Sequence, residues 1–64
     1  MLARGVKVGK GAVIRNCVIM QGVTVGENAV LENVIVDKWA DISDGAQLKG
    51  LSSAPVIIRK GAKV

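Results

Sequence analysis

Aliphatic residues alternate with polar ones in short stretches of this chain, and the stretches recur at a fixed interval. The segment VGKGAVIRN (8–16) returns as VGENAVLEN (25–33), as ISDGAQLKG (42–50) and in part as IRKGAKV (58–64). Neighbouring aliphatic residues within one unit point to opposite sides, as in a β-strand. The pattern therefore predicts short strands that repeat about every 17 residues.

The repeat length indicates how the strands are connected. A period of 17 residues is about three six-residue steps, so each repeat predicts one triangular coil whose strands pair with the next coil about 4.8 Å away. Eight glycines and many β-branched residues disfavour helices. We predict an all-β, single-stranded parallel β-helix of about three and a partial coils over residues 1–64, with an irregular excursion at 49–55, where KGLSSAP loses the alternation.

The offsets also predict which side chains stack inside the tube and which residues form its corners. We expect left-handed backbone angles at Gly11, Asn28, Gly45 and Gly61, and an amide ladder from Asn16 to Asn33. The predicted inward ladders are Val6, Val23, Ala40 and Val56; Val8, Val25, Ile42 and Ile58; Ala12, Ala29, Ala46 and Ala62; Ile14, Leu31, Leu48 and Val64; and Ile19 with Val36.

Composition narrows the possible chemistry. The chain has no histidine, so it lacks the usual general base and the commonest zinc ligand, and we expect no cofactor. The lone Cys17 excludes an intrachain disulfide and is expected to point inward. Without a disulfide, a secretion signal or a membrane-spanning run, the chain is expected to be cytoplasmic. The net charge of +4 does not by itself select a partner.

Two groups of outward residues follow from the same offsets. Charged residues are expected in columns, with Lys10, Glu27, Asp44 and Lys60 at one corner and Arg15, Glu32 and Lys49 at another, most simply as solvated ladders. Outward aliphatic residues predict contact with a partner domain or subunit. The predicted interface residues are Val13 and Val30 on one outer strand, Val18, Ile35 and Met20 on another, and Trp39.

The segment GVKVGKGAVIRNCVIMQGVTVGENAVLENVIVDKWADISDG resembles the carboxy-terminal hexapeptide-repeat β-helix of bacterial glucose-1-phosphate adenylyltransferase, also called ADP-glucose pyrophosphorylase. The ending PVIIRKGAKV is most similar to the regulatory-type subunit. The resemblance implies a left-handed β-helix, against the usual right-handed crossover preference. It also implies a non-catalytic fragment of a larger chain, whose parent makes ADP-glucose and pyrophosphate from ATP and glucose 1-phosphate for glycogen synthesis.

The same resemblance implies partners and a regulatory residue. The β-helix of the family packs on the catalytic nucleotidyltransferase domain, takes part in homo- or hetero-oligomer assembly and helps to form an allosteric effector site. The stretch VIVDKWADIS is similar to the family segment in which a lysine after an aspartate contributes to effector binding, which identifies Lys38 as the candidate. Trp39 stands where the family usually has a small polar residue.

Other functions remain open at this point. The β-helix could belong to another sugar nucleotidyltransferase, or to a hexapeptide acyltransferase, although the latter class uses a histidine that this chain lacks. An independent scaffold solenoid is a further alternative. Nucleic-acid binding is disfavoured because no aromatic residues are interleaved with the basic ones, and no membrane partner is expected.

Overall fold

Nine short strands make up the regular structure in the computed structural model, which describes residues 4–64. Each strand is two or three residues long, because a positive-φ residue or a loop interrupts the chain after each wall of the coil. The strands are β1 (Lys7–Val8), β2 (Val13–Arg15), β3 (Val18–Ile19), β4 (Thr24–Val25), β5 (Val30–Glu32), β6 (Val34–Val36), β7 (Asp41–Ile42), β8 (Gln47–Lys49) and β9 (Val56–Ile58).

The strands form three parallel sheets, which are the three walls of a triangular tube. Wall 1 contains β1, β4 and β7, wall 2 contains β2, β5 and β8, and wall 3 contains β3, β6 and β9. Successive strands of a wall belong to successive coils, so that Val8 pairs with Val25 and Val25 with Ile42. This arrangement confirms the predicted all-β fold, a left-handed parallel β-helix of three coils and the beginning of a fourth.

The interior is aliphatic and narrow. The side chains of Ile19, Val25 and Leu31 are almost completely buried, and no polar or charged residue among 4–64 is buried. Cys17 points inward as predicted, and its thiol donates to the carbonyl of Arg15. The remaining members of the buried core are Val23, Ala29, Val34, Val36, Ala40, Ile42 and Ile58.

The corners carry the left-handed residues that allow the chain to turn. The four predicted corner residues have positive φ, and Asn16 and Asn33 do as well. Asn16 Nδ2 donates to Asn33 Oδ1 at 2.5 Å, and Asn33 Nδ2 donates to the carbonyl of Gly50 at 3.1 Å. The predicted amide ladder is therefore present and links all three coils.

The predicted register of the last repeat is wrong. Residues 51–54 form an exposed turn, closed by hydrogen bonds between Leu51 and Ala54. The step from β6 to β9 is five residues longer than the regular repeat. Residues 58–64 therefore pair with residues 36–42, and not with 42–48 as predicted. The observed neighbours are Val34 with Val56, Val36 with Ile58, Ala40 with Ala62, and Ile42 with Val64.

The two ends of the tube leave inward-facing residues uncovered. Val8 belongs to an inward ladder, as predicted, yet it is 44% exposed because no coil precedes it within the described residues. At the opposite end residues 62–64 pair with β7 and cover that edge of wall 1. No helix in residues 4–64 is long and apolar enough to cross a membrane.

Candidate functional site

Wall 3 carries an outward column of aliphatic side chains. Val18 lies beside Ile35, and Ile35 lies beside Ile57, in consecutive coils. The column becomes more exposed along its length, since Val18 and Ile35 are half-buried whereas Ile57 is 67% exposed. Met20 follows β3 and is half-buried. Sequence reasoning missed Ile57 because it placed the last repeat in the wrong register.

Wall 2 carries a shorter apolar patch. Val13 pairs with Val30, as expected from the repeat, and Val13 is partly exposed. The third coil replaces the aliphatic residue with Gln47, which ends the apolar column. The two predicted patches therefore lie on different walls, and wall 3 offers the longer apolar surface.

Lys38 lies at a corner that sequence reasoning did not recognise as basic. The backbone hydrogen bonds from Gly22 to Arg4, from Trp39 to Gln21 and from Gly61 to Lys38 align one corner across all coils. Lys60 therefore stacks beside Lys38, not beside Asp44 as predicted. The exposed residues of this corner column are Arg4, Gln21, Lys38 and Lys60.

Trp39 occupies a backbone conformation that the other coils give to glycine. Its φ is 63°, and the stacked residues Gly5, Gly22 and Gly61 have φ between 71° and 76°. A bulky residue in the left-handed region costs roughly 1–2 kcal/mol. The indole is 56% exposed and lies over Gly22, beside a shallow depression of about 260 Å³ that is also lined by Arg4, Gly5 and Gln21.

The Trp39 side chain and Gly22 are expected to be energetically coupled. A Cβ at Gly22 would overlap the indole and would also be held at a φ of +74°. We expect Gly22→Ala to reduce the free energy of unfolding by about 2 kcal/mol, and by only about 1 kcal/mol in a Trp39→Gly background. Urea denaturation of the four proteins of this double-mutant cycle measures the coupling. Equal losses in both backgrounds would show that the indole does not restrict position 22.

The remaining charges form solvated columns. Arg15, Glu32 and Lys49 are neighbours on wall 2, as predicted. The carboxylate of Asp44 accepts a hydrogen bond from the backbone N–H of Glu27 at 2.8 Å, which joins two coils at the corner that follows wall 1. Among residues 4–64, no group of three or more acidic, cysteine or histidine side chains is arranged to hold a metal ion.

The comparison with protein families agrees with this architecture. The family model described as "GlmU-like, C-terminal hexapeptide" matches residues 1–54, which is most of the chain. The chain belongs to this family. The GlmU-like match confirms the hexapeptide-repeat part of the predicted resemblance and makes the chain a β-helix domain of the sugar nucleotidyltransferase type. The adenylyltransferase assignment stays a prediction.

The GlmU-like match ends before the last part of the β-helix. Residues 55–64 lie outside it, although β9 continues wall 3 and residues 62–64 continue wall 1. The turn at 51–54 therefore lies at the border between the matched repeats and the last strand. No curated protein and no solved structure matches the chain.

Proposed function

We propose that the chain is the non-catalytic assembly and allosteric domain of a glucose-1-phosphate adenylyltransferase subunit. In this role it packs on the nucleotidyltransferase domain of its parent chain and supports a homo- or hetero-oligomer that converts ATP and glucose 1-phosphate into ADP-glucose and pyrophosphate. The family match supports the sugar nucleotidyltransferase type. The sequence resemblance described above supports the choice of adenylyltransferase and of the regulatory-type subunit.

The observation that carries the assembly role is the aliphatic column of wall 3. Three branched side chains from three coils, Val18, Ile35 and Ile57, form a continuous outward column. When a partner covers these side chains, their apolar surface is removed from water, which stabilises the contact by about 25 cal/mol per Å² of buried surface. Contiguous apolar columns of this kind indicate a contact with another domain or subunit. Met20 lies next to this column, whereas Val13 and Val30 on wall 2 and Trp39 at the corner would form separate contacts.

The corner column supports the proposed regulatory role of Lys38. Arg4 and Lys60 lie at the same corner as Lys38, so an anionic effector that binds there would meet several cations. The backbone N–H of Lys38 donates to Asp37 Oδ1 at 2.7 Å, which fixes the turn from which the lysine extends. We expect Lys38→Gln in the parent enzyme to weaken effector response without changing the rate measured in the absence of effector.

The test of the proposed function uses the full-length protein that contains these residues. We expect this protein, with its catalytic subunit, to form ADP-glucose from ATP and glucose 1-phosphate, and not to use another nucleoside triphosphate with another sugar 1-phosphate. Ile57→Asp should dissociate the oligomer, because the substitution would bury a charge in the contact, whereas the exposed Thr24→Asp on wall 1 should leave it intact. Sedimentation velocity measures the oligomeric state of both variants. An unchanged oligomer with Ile57→Asp would show that wall 3 is not in the interface, and activity only with another nucleoside triphosphate would identify another sugar nucleotidyltransferase.

A further inference from the structure

The third coil contains five additional residues at the corner between wall 2 and wall 3. Paired residues of neighbouring strands are 17 positions apart, except between β6 and β9, where Val34 pairs with Val56. The ladder is regular up to Gly50, whose N–H donates to the carbonyl of Glu32 at 2.8 Å, and it continues at Val56. We call residues 51–55 the insert loop.

The two ends of the insert loop meet, so the loop does not alter the path of the coil. A Cβ added to Gly50 would lie only 2.7 Å from the backbone nitrogen of Val56. Asn33 of the preceding coil holds both ends. Its Nδ2 donates to the carbonyl of Gly50, and its own carbonyl accepts from the N–H of Val56, both at 3.1 Å.

The coil could close without the insert loop. Asn16 and Asn33 occupy the position of Gly50 in the first two coils, and their φ angles are 52° and 53°. A direct peptide bond from Gly50 to Val56 would require the same left-handed conformation at Gly50, which glycine adopts without strain. The fold therefore does not depend on residues 51–55.

The insert loop has a defined shape but contributes nothing to the core. Residues 51–54 are all exposed, and no residue of the loop belongs to the buried core. Two backbone hydrogen bonds between Leu51 and Ala54, at 3.0 and 3.2 Å, hold its turn. Coils stack along the tube axis, whereas this loop leaves the coil at a corner. An ordered segment that the fold does not require indicates a role outside the tube.

The most exposed apolar side chains lie on either side of this corner. Leu51 and Ile57 are each 67% exposed, more than any other large hydrophobic side chain among residues 4–64. Ile57 belongs to the aliphatic column of wall 3, and Leu51 stands at the corner where the third strand of that wall begins. A single exposed leucine needs no explanation, but here it borders an apolar column. The insert loop therefore lies at the edge of the proposed interface.

The charges beside the insert loop do not select a charged partner. Lys49 precedes the loop and pairs with Glu32 in wall 2. Arg59 follows β9 and continues its register with β6, which places it beside Asp37. Each of these cations has an acidic neighbour within the tube, so the group that the loop offers to a partner is the aliphatic side chain of Leu51.

We propose that the insert loop is a recognition element for the neighbouring subunit of the oligomer, with Leu51 in an apolar pocket of that subunit beside the contact made by wall 3. The nucleotidyltransferase domain of the same chain fits less well as the occupant, because covalent linkage already gives it a high effective concentration. A separate subunit must be distinguished from other surfaces, which requires specific contacts. This inference rests on the proposed oligomer and adds its specificity element.

Deletion of residues 51–55 from the full-length protein, with its catalytic subunit present, tests the proposal. We expect the variant to fold with a thermal unfolding midpoint within a few degrees of the unaltered protein, because a shorter loop costs slightly less to close. We expect the dissociation constant of the oligomer to rise at least about tenfold. Differential scanning calorimetry measures the midpoint, and sedimentation velocity over a range of concentrations measures the dissociation constant.

A matched pair of point variants separates the side chain from the length of the loop. Leu51→Ser keeps the loop and removes its aliphatic group, so the dissociation constant should rise about tenfold. Ser53→Ala changes another exposed position of the same turn and should alter the dissociation constant by less than about twofold. Both positions are exposed, so neither substitution should lower the thermal midpoint.

Other outcomes would overturn the proposal. An unchanged dissociation constant with the deletion or with Leu51→Ser would show that the loop is not in the subunit contact. An unchanged oligomer with a lower thermal midpoint would assign the loop to the nucleotidyltransferase domain of its own chain. An unfolded deletion variant would show that the coil requires the loop. If the unaltered full-length protein were monomeric, the proposed oligomer itself would be wrong, which is a different result from an oligomer that ignores the loop.

Discussion

Replacing Val25 with aspartate should unfold the chain. Val25 lies on wall 1 between Val8 and Ile42, is 1% exposed and belongs to the buried core, in which no polar group among the described residues offers a partner. An unpaired carboxylate in this interior costs several kcal/mol. A chain of 64 residues has a total stability of about 3–10 kcal/mol. We therefore expect circular dichroism to show loss of the β-sheet spectrum at 25 °C.

The neighbouring residue provides the control for this substitution. Thr24 precedes Val25 in β4 and points outward between Lys7 and Asp41. Aspartate at Thr24 gains attraction from Lys7 and repulsion from Asp41, so its effect on stability should stay within about 0.5 kcal/mol. If Val25→Asp were as stable as Thr24→Asp, the inward assignment of this ladder would be wrong, and the tubular fold with it.

Gly26→Ala should produce the second large loss. Gly26 has no positive φ, but an added Cβ would lie only 2.5 Å from the carbonyl carbon of Ser43 in the next coil. The Gly26 N–H donates to the carbonyl of Ile42 at 2.8 Å, so the two coils cannot separate without weakening this bond. Overpacking of this kind costs about 1–3 kcal/mol. We expect a loss near the upper limit because two backbone atoms of the next coil, Asp44 N and the Ser43 carbonyl carbon, oppose the methyl group together with the Asp44 carboxylate.

Gly45→Ala measures the cost of the left-handed backbone conformation without the close contact between coils that is present at Gly26. Gly45 has a φ of +72°, but a Cβ there would have no neighbour within 4 Å. Its substitution should therefore cost only about 1 kcal/mol, which is the penalty of the left-handed region. Urea midpoints and slopes of the two variants give the comparison. If Gly45→Ala were the more damaging of the two, spacing between coils would not limit position 26.

Sequence reasoning was accurate wherever the 17-residue repeat is unbroken. It predicted most inward positions of the first three units, the left-handed corners at Gly11, Asn28 and Gly45, and the ladder from Asn16 to Asn33, because each follows from local residue types at a constant offset. It did not predict the buried Val34 or the left-handed conformation of Trp39. It failed after residue 50. A five-residue lengthening of a loop adds little to the cost of closing it, so the length of the loop carries almost no information about register.

A signal for the true register is nevertheless present. The segment VIIRKGAKV (56–64) matches VIVDKWADI (34–42) position by position in its aliphatic residues and its alanine. Trp39 hid this match, because it replaces the glycine found at the other stacked positions of that corner. The corner motif of 42–48, with its own glycine and alanine, looked more similar. The structure has the longer offset of 22 residues, in which the three aliphatic residues of β9 lie beside the three of β6 in wall 3.

The sequence by itself determined the coil, its inward faces and its left-handed corners, since these depend on alternation and on residues that tolerate positive φ. Only the tertiary structure decided which surfaces the coil presents. Pairing of β9 with β6 placed Ile57 on the outer column of wall 3 and Lys60 beside Lys38. These features depend on hydrogen bonds between residues distant in the chain, and the repeat pattern alone left two offsets open for the last segment.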